Sequence, residues 1–139
     1  MPQESFTFPK NEKLCSHTLI ETLFTKGAAF VSYPFRVIYL TTQLPHDVPA
    51  QVLFSVSKKR FKRAVHRNLI KRRCSEAYRL NRMQFIETQR QSSQQVAFAM
   101  IYISNEKLPY QKICNGMIKS LRKLSQQLEQ KSDGDESVD

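Results

Sequence analysis

Eleven residues between Lys58 and Arg82 are lysine or arginine (positions 58, 59, 60, 62, 63, 67, 71, 72, 73, 79 and 82), and Glu76 is the one acid among them, a local net of +10. The whole chain also nets +10, from 22 bases and 12 acids, so everything outside this segment sums to zero. Positive charge packed this way calls for an anionic polymer. The residue types say how one would be held. Arginine forks and lysine point charges bind phosphate. Asn68 carries both a donor and an acceptor, suited to a base edge or a 2′-hydroxyl. Covalent chemistry has no such grouping. His17, His46 and His66 are scattered, no paired carboxylates occur at useful spacing, and three glycines leave little room for a phosphate-binding loop. No catalytic residue is expected in this chain.

The basic segment is also periodic. Ile70, Cys74, Ala77 and Tyr78 recur as one apolar stripe of a helix. Asn68, Arg72, Ser75 and Arg79 fall on roughly the opposite side, with Arg67 and Lys71 one turn apart on a flank. One face is thus anchored and the other is left for phosphate. A solvated basic face with no partner is disfavoured, because protein surfaces normally mix both signs. A DNA reader would pair such a helix with a turn-linked helix, whereas here apolar strands flank it.

The elements that must position this helix are legible in outline. At 139 residues the chain suits one domain. Residues 1–128 read as a single RNA-binding domain that opens on an irregular arm, 1–13. Ser16 is placed to cap a helix over 16–26 with Ile20, Leu23 and Phe24 as its apolar face, and Gly27 to stop it. A strand follows over 34–41, with a short one possible before Tyr33-Pro34. Residues 43–50 read as a hairpin loop and 51–57 as the next strand. The basic helix spans about 60–82, extending toward 88, and 89–95 is a polar loop. The continuously apolar run 96–103 predicts a central strand. Pro109 opens a last helix with Ile113, Met117, Leu121, Leu124 and Leu128 buried. The acidic segment 129–139 predicts a disordered tail. The order α-β-β-β-α-β-α implies an α+β two-layer sandwich.

Composition narrows the setting. Cys15, Cys74 and Cys114 are far apart, with no C-x-x-C or Cys/His ligand spacing, so neither a zinc site nor a disulfide framework is expected. The N-terminus lacks the apolar stretch of a signal peptide, and 96–103 is too short to span a bilayer. A cytoplasmic protein without a membrane partner follows.

The run Ser55-Val56-Ser57-Lys58-Lys59, then Ala64-Val65, Arg67-Asn68, Lys71-Arg72 and Ala77-Tyr78, resembles the signature of the bacterial ribonuclease P protein subunit. The likeness extends from about residue 10 to 128. The last arginine of that signature falls at Ser75, leaving Arg79 or Arg73 to supply the charge. Of the family aromatics along a cleft between the first helix and the sheet, Phe24 matches one, while isoleucines, Ile20 and Ile38, stand at two others. The resemblance implies a left-handed β-α-β crossover through strand 51–57, the basic helix and strand 96–103, against the usual hand. It further implies a subunit of an endoribonuclease, a hydrolase, in which a large RNA removes the 5′ leader of precursor tRNA. That RNA carries the catalytic Mg2+, and the protein alone binds no cofactor. Partners would be the ribonuclease P RNA, one to one, and precursor tRNA. RNA contacts would come from Lys58, Lys59, Arg60, Arg67, Asn68, Lys71, Arg72 and Arg79, and leader contacts from Phe24, Ile20 and Ile38. A structural ribosomal protein or RNA chaperone is the alternative from another class.

Overall fold

The computed structural model describes residues 8–138, with side chains through Glu129. A 3-10 turn, Lys10–Glu12, leads into α1 (His17–Lys26), β1 (Ala28–Ser32), β2 (Phe35–Thr41), β3 (Ala50–Val56), α2 (Ala64–Asn81), α3 (Met83–Gln91), β4 (Val96–Tyr102) and α4 (Tyr110–Val138). Ser16 caps α1 as expected, its Oγ accepting from Leu19 N at 3.3 Å. The short strand before Tyr33-Pro34 is real and forms β1.

The sheet runs β1-β2-β4-β3. β4 lies between β2, antiparallel to it, and β3, parallel to it. Its burial on both faces explains its unbroken apolar sequence. The loop over 43–50 is therefore no hairpin, because β4 separates the two strands it joins. The antiparallel hairpin is β1–β2 instead.

The sequence-based bounds of the basic helix also shift. It begins at Ala64, so Lys58 to Arg63 form a turn leaving β3. It ends at Asn81, and α3 starts afresh at Met83 where a continuation had been expected. At the junction Arg82 is buried in an ion pair with Glu12, Nε to Oε1 at 2.9 Å and Nη2 to Oε2 at 2.5 Å. The fork ties the arm to the end of α2. Phe8 strengthens that tie by meeting Tyr78 edge-on, with ring centroids 5.1 Å apart. Residues 1–7 of the expected arm lie outside the described residues. So do the side chains beyond Glu129, across which the backbone of α4 continues.

One sheet face is the main core. Phe35, Val37, Tyr39, Val52, Phe98, Met100 and Tyr102 pack there against α2, α3 and α4. On the other face α1 seats Leu23 against Ile38, Ala97 and Ala99. The alanines keep that surface low enough for a helix to lie close. Gly27 does the same at the helix end, where a Cβ would fall 2.5 Å from Leu23 O and 2.9 Å from Ile38 Cγ2.

Candidate nucleic-acid interface

Helix α2 is held by its apolar stripe. Ile70, Cys74, Ala77 and Tyr78 are its buried residues, the four that periodicity selects. Burial pushes the Cys74 thiol up to about 12, so it behaves as a small apolar group. With that side fixed, Asn68, Lys71 and Arg72 are exposed on the other, and Lys58, Lys59 and Arg60 are exposed on the turn that precedes the helix.

The start of α2 adds to this field. Its N-cap, Arg63, makes no side-chain capping bond, and its first turn contains no acid. Positive helix dipole and basic turn therefore coincide, an arrangement that an anion relieves.

Other basic side chains of the segment are partly engaged. Arg67 is half-buried and donates through Nη1 to Phe61 O and Lys62 O, each at 2.8 Å, so it braces the turn as well as flanking the face. Arg73 donates to Leu108 O at 2.6 Å. Arg79 forks onto Glu76, Nε to Oε1 at 3.0 Å and Nη2 to Oε2 at 2.5 Å. The hydrogen bond from Arg79 holds the Glu76 carboxyl below its ordinary range. Both stand-ins for the arginine missing at Ser75 thus have protein partners, and Arg60 donates to Asn105 Oδ1 at 2.8 Å.

The opposite sheet face carries the second candidate surface. Leu23 is the wholly buried residue of α1, while Phe24 is 46% exposed. Ile20 packs, partly buried, against the apolar cluster on this face, of which Ile38 is a buried member. A flat apolar floor and one protruding ring is the form a groove for single-stranded nucleic acid takes. Strand register brings Arg36 to the same face. It is exposed, lies two residues before Ile38, and pairs with Ile101, which in turn pairs with Ser55 near the basic turn. Sequence reasoning passed over Arg36 because it stood alone among apolar residues. Alternation with Ile38 and Leu40 was the signal that could have found it.

Among the described residues no three His, Cys, Asp or Glu side chains are grouped to hold a metal ion. No described helix is long and apolar enough to cross a membrane.

The fold corresponds to one class of protein. The Staphylococcus aureus RNase P protein superposes with a TM-score of 0.63 at 19% identity, covering 82% of this chain and 94% of that one. Residues 8–125 match the family model for ribonuclease P. The ribonuclease P protein component of Porphyromonas gingivalis is 36% identical over 121 residues, 87% of this chain and 88% of its own. That of Petrotoga mobilis is 28% identical over 128 residues, 87% and 98%. The chain belongs to the ribonuclease P protein component family.

Proposed function

We propose that this chain is the protein subunit of ribonuclease P in the cytoplasm. It binds the catalytic RNA one to one and holds the 5′ leader of precursor tRNA, assisting endonucleolytic removal of that leader. In this reading hydrolysis belongs to the RNA and its Mg2+. The chain's own residues bind and orient. Lys58, Lys59, Arg60, Lys71 and Arg72 neutralise phosphates, Asn68 reaches a base edge or 2′-hydroxyl, and Arg67 holds the basic turn in place. Arg79 joins them where a phosphate competes with Glu76. The leader lies on the α1 face, with Phe24 as a stacking surface over Ile20 and Ile38.

The observation that carries this reading is the division of α2. Four residues are buried on one side, and exposed Asn68, Lys71 and Arg72 stand on the other beside the Lys58–Arg60 turn. A structural ribosomal protein would share that helix, but it would not require a second surface for a single strand. The test is affinity for precursor against mature tRNA, with the catalytic RNA alone and with the chain added. The chain should favour precursor, since mature tRNA lacks the leader. Equal affinities in both conditions would remove the leader from the account.

A further inference from the structure

The last third of the chain hides a second basic surface. Between 107 and 128 lie Lys107, Lys112, Lys119, Arg122 and Lys123 with no acid, and the balance comes only later, where Glu129, Asp133, Asp135, Glu136 and Asp139 outweigh Lys131. Net charge summed over the whole chain outside residues 58–82 conceals this, because the two stretches nearly cancel.

Lys112 and Lys119 are exposed, two turns apart on α4. They flank a shallow cleft of about 200 Å3 whose walls include Tyr33, Pro34, Asn115 and Gly116. Gly116 lets α4 lie flush on the β1–β2 turn, since a Cβ there would stand 2.3 Å from Pro34 Cδ. Tyr33 is 60% exposed, yet its hydroxyl is 3.1 Å from Ser104 Oγ as a donor, so the ring is tethered with its surface open. Asn115 accepts from Gln111 Nε2 at 3.1 Å through its carbonyl oxygen, leaving its amide N–H groups for another acceptor. An open aromatic ring between two lysines is the composition of a nucleotide-stacking site.

We propose that this cleft is a second contact for the catalytic RNA. An unpaired nucleotide stacks on Tyr33, its flanking phosphates sit against Lys112 and Lys119, and the Asn115 amide donates to the base or sugar. The proposal rests on the reading of α2 as the RNA-binding helix. Continuity between the two surfaces selects the partner. Arg60 of the basic turn is bonded to Asn105, Tyr33 to its neighbour Ser104, and Arg73 of α2 to Leu108, which also lines the cleft. One short loop thus joins the α2 face to the cleft, with Glu106 its one acid. The leader surface, by contrast, lies across the sheet beneath α1.

The test is binding of the full chain to the catalytic RNA over a salt series, with melting temperature measured on every variant. Tyr33→Ala should weaken affinity about tenfold, within the range for loss of one stacked base. Tyr33→Phe, which keeps the ring but loses the bond to Ser104, should bind like the parent. Lys112→Glu with Lys119→Glu should lower the salt slope by about two, one for each phosphate contact. Arg72→Ala serves as the reference. If it weakens binding and the cleft variants do not, the cleft proposal is overturned and the α2 reading stands. If neither weakens binding, both fall. A loss confined to precursor tRNA within the complex would assign the cleft to substrate and overturn the proposal as stated. So would Tyr33→Phe behaving like Tyr33→Ala, because the loss would then come from the Ser104 tether.

Discussion

Arg72 and Arg67 lie five residues apart on one helix and do different work. Arg72 is exposed, whereas Arg67 spends one nitrogen on two backbone carbonyls. Arg72→Ala should therefore cost RNA affinity about 1–3 kcal/mol, the range for a charge-assisted contact, and leave the melting temperature unchanged. The sequence alone suggested the same for Arg67. The structure changes that expectation: Arg67→Ala should lower both affinity and melting temperature, since the carbonyls of Phe61 and Lys62 lose their donor. A melt identical to the parent would show that the brace contributes nothing. Phe24 was equally divided on sequence grounds between core and surface. Leu23 takes the core position, so Phe24→Ala should reduce the preference for precursor tRNA while stability holds. Equal losses toward precursor and mature tRNA, together with a large fall in melting temperature, would return Phe24 to the core.

At the scale of elements, α2 and α4 owe their places to buried stripes that periodicity had already picked out. Ile70→Ala and Leu121→Ala should each destabilise the fold by about 2–5 kcal/mol in denaturant titrations. Cys74 belongs to the same stripe. Because burial keeps its thiol protonated and covered, a thiol reagent should label exposed Cys15 in the native protein and reach Cys74 only on unfolding. Native labelling of Cys74 at the Cys15 rate would place it on the surface. The stripe of α2, the capped start of α1 and the central position of β4 were all legible because each depends on local pattern. Arg82 was not. It read as one more base in a basic run, and only its long-range approach to Glu12 shows it to be buried structure. Glu12→Ala should consequently destabilise by about 3–5 kcal/mol, the cost of leaving a buried charge without its partner. The partner of β3 was hidden from local pattern for the same reason, and only the family resemblance implied its pairing with β4. Neighbours in sequence suggested a hairpin with β2, and the strand inserted between them arrives some forty residues later.

At the scale of the molecule, the sheet separates two surfaces and holds them at a fixed relation. The α2 side presents exposed positive charge, and the α1 side presents an apolar floor, Phe24 and Arg36. A ribosomal protein or RNA chaperone has use for the first surface alone, so what distinguishes the proposed role is that both act in one complex. Cleavage of precursor tRNA by the catalytic RNA at low Mg2+ measures this directly. The account predicts that adding the chain restores cleavage at the 5′ end of the mature sequence. It also predicts that Arg72→Ala lowers the activity through weaker assembly, while Phe24→Ala lowers it with assembly intact. Cleavage that stays absent although the chain binds the RNA tightly would contradict the account and leave an RNA-binding protein of another kind.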